Sequence, residues 1–391
     1  MTDSIASDLK KMGYKNPASV LSQKNILEGI EKTTGQMFDA IGVISLSGFP
    51  KQKDIIYREM NFSHGGESKD VLVGFLNLRY INKIVGKKSL VKSTKAWAKQ
   101  YKEDEVHIFV YEMRSACLAA ARKVKEIIPK AKIHLIVPDL PQYMDLHMNH
   151  IKRILKEIDW KKIRRYFSYV DDFILYAQPM ADFLKIENRP YIVMEGSINL
   201  NEINEIKDES ADNDKYVVMY SGSIQAGFKI ENLLKAFEYL GDNYELWITG
   251  GGNAKDTVQS YANKDSRIKY FGYLPTRQDL KRLQSKATMF VNMRDPAEMA
   301  SSYCFPSKIF EYMLTGKPVL SCKLKGIPGN YFNYLVEIKS IEPIDIANAI
   351  EKTASLSSEE RNEIGYKSRD FIIKEKNNVV QAKHIVDFIN S

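Results

Sequence analysis

Short apolar runs alternate with segments of helical periodicity along almost the whole of this 391-residue sequence. Most runs are followed by glycine, proline or polar residues, which is typical of strands buried on both faces of a sheet. The alternation predicts an α/β fold with parallel, doubly wound sheets. The predicted strands are 40–46, 71–75, 106–111, 133–137, 173–176, 191–194, 216–220, 244–249, 267–271, 288–292 and 319–322. The predicted helices include 19–33, 231–240, 278–286, 307–315, 357–371 and 379–389.

The chain is too long for one ordinary hydrophobic core, because single cores seldom grow beyond about 250–300 residues. The polar, acidic stretch 199–215 contains no apolar run and therefore predicts a linker between two domains. We place the N-terminal domain at residues 1–198 and the C-terminal domain at residues 199–374.

The composition excludes several classes of protein. With 44% apolar and 27% charged residues, the chain is globular rather than disordered. It has no run of about 18 apolar residues, and Met1–Lys11 lacks the apolar segment of a signal peptide, so we expect a cytoplasmic protein. Cys117, Cys304 and Cys322 lack metal-ligand spacing, so we expect reduced thiols and no bound metal.

Part of the net charge of +8 is concentrated within residues 151–167. Ile154, Leu155 and Ile158 recur there at helical spacing among basic residues. Two interpretations fit this segment: a helix on an anionic membrane surface at the inner face of the cell membrane, or a solvated basic face whose apolar stripe packs on its own domain. No DNA-binding or RNA-binding module is recognisable, so we expect no nucleic-acid partner. The basic residues are Lys152, Arg153, Lys156, Lys161, Lys162, Arg164 and Arg165.

The predicted helix over 307–315 contains the most informative motif of the chain. Ser307 is a suitable N-cap after Pro306, and the free N–H groups and dipole of such a helix end bind anions. Lys308 and Glu311 lie one turn apart on the same face. A cation, a carboxylate and an anion-binding helix end predict a ligand with a diphosphate and a hydroxylated ring. An ordinary amphipathic crossover helix would have the same spacing.

Glycine turns close several predicted strands. Gly222 and Ser223 follow the strand 216–220 and lead to Lys229 at the start of a helix, which is typical of phosphate-binding loops. Glycine allows the backbone to approach a ligand closely, but a tight turn required by the sheet is an equal explanation. The next strands are closed by Gly250, Gly251 and Gly272.

The motif of the 307–315 helix resembles the donor-binding segment of retaining glycosyltransferases of family four, also called group 1. The residues that match the family pattern P-S-K-x-x-E-Y-x-x-x-G-K-P-V are Pro306, Ser307, Lys308, Glu311, Tyr312, Gly316, Lys317, Pro318 and Val319. The resemblance implies the GT-B fold, in which two Rossmann-like domains face a cleft. It also implies that the last helix, within 375–391, packs back on the N-terminal domain.

The resemblance further implies transfer of a sugar, with retention and without a metal cofactor, from a nucleotide-diphosphate sugar that we expect to be UDP-linked. Glu311 would hold the ribose hydroxyls, and the catalytic residues would be Asp139, Lys229 and Glu298. Arg294 would bind phosphate in bidentate fashion, or would form only a salt bridge within its loop. The residues expected to bind the donor are Gly222, Ser223, Lys229, Gly250, Gly251, Gly272, Tyr273, Leu274, Arg294, Phe305, Pro306, Ser307, Lys308 and Glu311.

Two positions depart from the family pattern. Ser223 stands where relatives often have arginine, and Tyr303 stands where many have a glutamate that contacts the donor sugar, which leaves Glu298 as the nearest acidic substitute. Together with the lack of a strand-like run in residues 1–18, these departures favour one alternative, a degenerate GT-B subunit that binds or stabilises a partner transferase. A nucleotide-sugar epimerase is a second alternative, because such epimerases share the GT-B architecture. For an active transferase we expect a lipid-linked or glycan acceptor in bacterial cell-surface polysaccharide synthesis.

Overall fold

The computed structural model describes residues 17–44, 46–79, 81–143, 150–200, 203 and 215–391. Predictions that concern residues 1–16, Ser45 and most of the linker at 199–215 lie outside the described residues. The chain divides into two compact units. The N-terminal unit is Met1–Tyr176, Ala181–Met194 and Gln381–Ser391, and the C-terminal unit is Ala177–Met180 and Glu195–Val380.

The N-terminal unit contains a four-stranded parallel sheet and two smaller sheets. Its elements are α1 (Pro17–Thr34), β1 (Ile41–Gly42), β2 (Ile56–Tyr57), β3 (Met60–Phe62), β4 (Asp70–Leu72), β5 (Phe75–Leu76), α2 (Asn82–Ala98), β6 (His107–Tyr111), α3 (Ser115–Ile127), β7 (Lys132–Val137), α4 (His150–Tyr166), β8 (Asp172–Leu175), α5 (Pro179–Leu184) and β9 (Tyr191–Val193). Strands β6, β7, β8 and β9 pair in that order. Strand β4 lies between β1 and β3, and β2 pairs with β5.

The prediction of one strand over 71–75 is wrong. The structure divides this range between β4 and β5, which lie on either side of Gly74 and pair with different strands. A Cβ atom at Gly74 would lie 2.6 Å from the backbone nitrogen of Glu59, so the two chain segments cross in close contact there. Only a glycine allows this approach, and β4 and β5 consequently belong to different sheets. Within the predicted strand 40–46, of which Ser45 lies outside the described residues, the structure has the short strand Ile41–Gly42.

His64 joins α1 to the start of β4 through two buried ion pairs. Its Nδ1 lies 2.6 Å from Oδ2 of Asp70, and its Nε2 lies 2.8 Å from Oε1 of Glu31. Burial lowers the pKa of the imidazole, but the hydrogen bonds to both carboxylates outweigh this effect and raise the pKa above its ordinary value of 6.5. The charged form of His64 therefore stabilises this unit.

We expect His64→Gln to reduce the free energy of unfolding most strongly at acidic pH. A histidine whose pKa is raised in the folded state contributes its full stabilisation below the unfolded pKa and loses it as the pH rises through the folded pKa. The stability difference between wild type and variant should thus be largest below pH 6.5 and shrink as the pH rises above that value. Urea unfolding across this range measures it, with exposed His150→Gln as the control. A difference that stays constant with pH would contradict the assignment.

The C-terminal unit contains one six-stranded sheet. Its elements are β10 (Tyr216–Ser223), α6 (Ile230–Ala236), β11 (Tyr244–Gly251), α7 (Lys255–Lys264), β12 (Ile268–Tyr270), α8 (Arg277–Ser285), β13 (Met289–Asn292), α9 (Met299–Ser302), α10 (Lys308–Met313), β14 (Val319–Cys322), β15 (Val336–Ile338), α11 (Pro343–Ala354), α12 (Ser358–Glu375) and α13 (Asn378–Ile389), the last of which continues into the N-terminal unit. The strand order is β12-β11-β10-β13-β14-β15, and every pairing is parallel. Counted from β10, this is the 3-2-1-4-5-6 order of the Rossmann fold. The predicted α/β class with doubly wound sheets is confirmed.

A side-chain cap is present at the N-terminus of α12 but not at the N-terminus of α10, the helix that contains Lys308 and Glu311. Ser357 and Glu360 form a reciprocal capping box before α12. Ser307 occupies the N-cap position of α10, but its backbone is already helical and its side chain makes no capping bond. The expected capping role of Ser307 is therefore wrong, although Gly316, with a φ of +71°, ends this helical segment as predicted.

Within the ranges that the structure describes, we find no helix whose length and apolar character would let it cross a membrane.

Candidate functional site

The strand order of the C-terminal unit reverses between β10 and β13. The paired residues of these two strands are Val218 with Met289 and Met219 with Phe290. Beyond these pairs, toward their carboxyl ends, the two strands are no longer paired with each other. Open α/β sheets bind ligands in the crevice that such a switch point creates at the carboxyl ends of the strands. The predicted donor residues that follow β10 and β13 are therefore placed at the expected position for a ligand site.

Tyr312 occupies the space between these diverging strands. Its hydroxyl donates to the carbonyl oxygen of Ser221 at 2.8 Å and accepts from the backbone nitrogen of Ser221 at 3.0 Å. The ring is buried and stacks on Phe290 with a centroid distance of 4.7 Å. Tyr312 thus takes the place of a strand partner on this side of β10 and fixes the end of the strand next to Gly222. Sequence reasoning matched Tyr312 to the family pattern but gave it no structural role.

Gly222 lies against the side chain of Lys308. A Cβ atom at Gly222 would be 3.7 Å from Cε of Lys308, and the φ of +155° at Gly222 favours glycine. Nζ of Lys308 lies 2.6 Å from Oε2 of Glu311, and the side chains of this pair are 38% and 43% exposed. A positive group and a carboxylate are consequently presented together at the carboxyl end of β10.

Gly250 allows β10 and β11 to approach each other at the same edge. A Cβ atom at Gly250 would lie 1.8 Å from the carbonyl oxygen of Gly222, so no side chain fits there. The backbone nitrogen of Gly250 also donates to the carbonyl oxygen of Gly272 at 2.7 Å. A Cβ atom at Gly251 would meet nothing within 4 Å. Gly250 is therefore required by packing, whereas Gly251 is not.

The loops that follow β10 and β13 contact each other through the side chains of Lys229 and Arg294. Lys229 has a left-handed backbone, with φ 54° and ψ 34°, which is uncommon for a residue other than glycine. Its Nζ lies 3.8 Å from Oδ2 of Asp295. The guanidinium carbon of Arg294 lies 3.6 Å from the ring centroid of Phe228. Asp295 and Phe228 are thus the site partners that sequence reasoning missed.

Arg294 also lies near the end of β10. Burial raises the pKa of Tyr220 to about 12, and the positive charge of Arg294 opposes this rise. The hydroxyl of Tyr220 donates to the carbonyl oxygen of Ser223 at 2.6 Å. Among the ion pairs of the described residues, none joins Arg294 to a carboxylate, so stacking on Phe228, rather than a loop salt bridge, holds its side chain.

Glu298 closes the site from the segment that precedes the motif helix. Its Oε1 would lie 3.2 Å from a Cβ atom at Gly227. Its Oε2 is buried and has no hydrogen-bond partner among the residues that the structure describes. Buried carboxylate oxygens in native structures are usually paired, so this atom is available to a ligand hydroxyl.

Other predicted residues lie apart from this cluster. Phe305 is buried and packs on Phe310 and Tyr331, with ring centroids 4.9 and 5.2 Å away. Pro306 is buried beside it, whereas Ser307 is exposed. Of the remaining predicted residues, Gly251 ends β11, whereas Tyr273 and Leu274 lie in the loop between β12 and α8.

Asp139 belongs to the N-terminal unit, where it lies two residues beyond β7 and is exposed. Tyr111 ends the neighbouring strand β6, and Tyr176 follows β8. Burial raises the pKa of Tyr111 to about 12, and the charges of Glu112 and Asp139 add to the rise. Asp139 is thus at the carboxyl edge of its own sheet, where α/β folds place ligand-binding side chains.

Comparison with known proteins identifies a family that part of this chain resembles. Residues 215–355 match the sequence model of the family described as Glycosyl transferases group 1. Every element of the charged cluster described above lies within this range. No curated protein matches the sequence significantly.

Solved structures of glycosyltransferases share the fold. HepE (Alr3699) of Anabaena, in complex with UDP, has a TM-score of 0.61 and 14% identity, covering 81% of this chain and 85% of that chain. The lipopolysaccharide outer core galactosyltransferase WaaB has a TM-score of 0.63 and 14% identity, covering 96% of each chain. Sucrose-phosphate synthase of Thermosynechococcus elongatus has a TM-score of 0.63 and 15% identity, covering 93% of this chain and 91% of that chain. The predicted resemblance to group 1 glycosyltransferases of the GT-B fold is confirmed.

Proposed function

We propose that this protein transfers a sugar, with retention, from a nucleotide-diphosphate sugar to an acceptor hydroxyl. Glycosyl transfer as the class of reaction is supported by the family match of residues 215–355. The observation that carries the proposal is the cluster of Lys229, Arg294 and Lys308 around the carboxyl ends of β10 and β13. Cations at a switch point suit a diphosphate. UDP is the nucleotide we favour, because HepE was solved with UDP.

Each charged side chain has a proposed role in breaking the anomeric bond. The bond electrons leave with the diphosphate, so negative charge grows next to Lys229 and Arg294, and these fixed cations stabilise it without a metal cofactor. Glu311 accepts hydrogen bonds from the ribose, and the unpaired Oε2 of Glu298 accepts one from the donor sugar. Asp139 accepts the hydrogen bond of the attacking hydroxyl.

Helix α4 supports a lipid-linked acceptor at the inner face of a bacterial membrane. Ile154, Leu155 and Ile158 on this helix are between 44% and 61% exposed. Trp160 packs instead on Phe183 within the N-terminal unit. The exposure of the apolar residues in the first half of α4 argues against the second interpretation of this segment, in which they pack on their own domain. We propose that they contact an anionic lipid surface in cell-surface polysaccharide synthesis.

We expect Arg294→Ala and Lys229→Ala each to lower kcat by about 100-fold, because each removes one fixed charge from the developing diphosphate. Release of nucleotide from a panel of UDP, GDP, ADP and TDP sugars, with and without acceptor glycans, measures this. Lys255→Ala is the matched control, since Lys255 is exposed at the start of α7.

The same assay separates transfer from the alternatives. Interconversion of the donor sugar without an acceptor would identify an epimerase. No turnover and no binding of any nucleotide by the wild type would overturn the proposed transferase and favour a degenerate subunit.

A further inference from the structure

The N-terminal unit exposes a second group of large apolar side chains, away from α4 in sequence. These residues are between 39% and 70% exposed, although aliphatic and aromatic side chains of this size normally favour burial. They come from the loop before β2, from β2 itself and from the start of α2. We name them the Asn77 surface, which consists of Phe49, Ile55, Ile56, Ile81 and Ile84.

Asn77 holds these segments together from beneath. It is fully buried, its backbone nitrogen donates to the carbonyl oxygen of Ile55 at 2.6 Å, and its carbonyl oxygen accepts from the backbone nitrogen of Phe49 at 2.8 Å. Its side-chain nitrogen donates to the carbonyl oxygen of Ser47 at 3.1 Å, and its side-chain oxygen accepts from the side chain of Asn82 at 3.0 Å. The exposed side chains are consequently displayed by a hydrogen-bonded scaffold, so binding would require little ordering of the chain.

Exposed lysines flank the residues of the Asn77 surface along the chain, although exposed Asp54 lies directly before Ile55. Lys51 and Lys53 lie in the loop between Phe49 and Ile55, and both are exposed. Lys83 and Lys88 are exposed on α2 beside Ile84. Apolar side chains among lysines are the composition of surfaces that insert into the boundary of an anionic bilayer, where the lysines meet the headgroups.

The Asn77 surface and α4 are neighbours within the N-terminal unit. Nζ of Lys87 lies 3.5 Å from the hydroxyl of Tyr166 and 5.7 Å from its ring centroid, which joins α2 to the end of α4. Ile84 lies one turn before Lys87, and Ile158 lies about 12 Å before Tyr166 along the axis of α4.

We propose that the Asn77 surface and α4 bind the same anionic membrane, as two parts of one lipid-binding face. The inference rests on the proposed membrane contact of α4 and adds a second contact region to it. Two linked apolar regions bind more strongly than either alone, because the second contact forms within an already bound molecule. A surface of this kind would keep the N-terminal unit, with Asp139, at the lipid that carries the acceptor.

Flotation with lipid vesicles tests the proposal on the full-length protein. The vesicles consist of phosphatidylcholine, with or without phosphatidylglycerol, and the variants are Ile56→Ser with Ile84→Ser, and Leu155→Ser with Ile158→Ser. Ile344→Ser is the control, because Ile344 is an exposed isoleucine of the C-terminal unit. We expect the wild type and the control to bind the anionic vesicles, and each double variant to bind about tenfold more weakly or less.

Unchanged binding of the Ile56→Ser, Ile84→Ser variant would overturn this inference and leave α4 as the contact. No binding of the wild type to anionic vesicles would overturn both membrane contacts, whereas nucleotide release from donor sugars would still report on the transferase. If the same double variant instead converted a wild-type dimer into a monomer in light scattering, the Asn77 surface would be covered by a second copy of the chain, and the inference would be wrong.

Discussion

Replacing Gly250 with alanine is expected to destabilise the C-terminal unit by about 3–5 kcal/mol, from overpacking and backbone strain together. The added Cβ atom would lie 1.8 Å from the carbonyl oxygen of Gly222, and the φ of +132° is one that alanine rarely adopts. The carbonyl oxygen of Gly222 is a backbone atom and cannot move aside as a flexible side chain could. The strands β10 and β11 must therefore separate to make room for the added Cβ atom. Because native proteins are stable by only about 5–15 kcal/mol, this is a large effect.

Gly251→Ala is the matched control, since a Cβ atom at Gly251 meets nothing within 4 Å. We expect its free energy of unfolding to stay within about 0.5 kcal/mol of wild type. Urea unfolding, followed by the fluorescence of Trp247 in β11, measures both variants. Binding of UDP, the nucleotide proposed above, should weaken in Gly250→Ala, where the ends of β10 and β11 separate, and be retained in Gly251→Ala. Equal stability of the two variants would show that the close approach of β10 and β11 does not exist in solution.

The alternation of apolar runs predicted β10, β11, β13 and β14 of the C-terminal sheet well, because these strands are largely buried on both faces. The edge strand β15 was not predicted, and its middle residue, Glu337, is exposed. The end of β10 is an informative difference. The prediction ended this strand at residue 220, since Gly222 and Ser223 are turn-forming residues, but they continue the ladder opposite Gly250 and Gly251. Local propensity could not reveal this pairing, because it depends on a partner strand that has glycine at the same register.

The N-terminal sheets were predicted less well for a related reason. Gly74 interrupts an apolar run that looks continuous, and the interruption is caused by contact with the backbone near Glu59. The short strands β2 and β3 lie in a polar stretch without a clear period, and they form through pairing with β5 and β4. Contacts between distant segments decide these elements, and such contacts leave little trace in a short window of sequence.

The candidate site could be predicted from its motifs but not from its contacts. Glu311, Lys308 and Gly222 were named from sequence, and the structure places them together. The expected donor-binding residues also include Phe305, which packs in the core, because a linear pattern does not separate residues that support a site from residues that face it. The bond from Tyr312 to Ser221 spans 91 positions and required the fold.

Tyr312→Phe is expected to lower the free energy of unfolding by about 2–4 kcal/mol, because it leaves the backbone N–H and C=O of Ser221 buried without a partner. The strand β10 would then lose the contact that holds its end away from β13. We infer that Tyr312 is a positioning residue, which keeps Gly222 and Lys308 at the separation that the diphosphate requires. The affinity for UDP should consequently fall about tenfold, as expected when one such hydrogen-bonded contact is lost.

Two measurements separate this positioning role from a contribution to stability alone. Calorimetric titration with UDP, at a temperature where wild type and variant are both fully folded, gives the affinity of the native state. Tyr216→Phe is the matched control, because Tyr216 begins the same strand and packs against Tyr244 at the opposite end from the site. We expect it to leave the Kd for UDP unchanged. If Tyr312→Phe lowers the stability while its Kd equals that of wild type, Tyr312 only stabilises the fold, and the crevice between β10 and β13 keeps its shape without the hydroxyl.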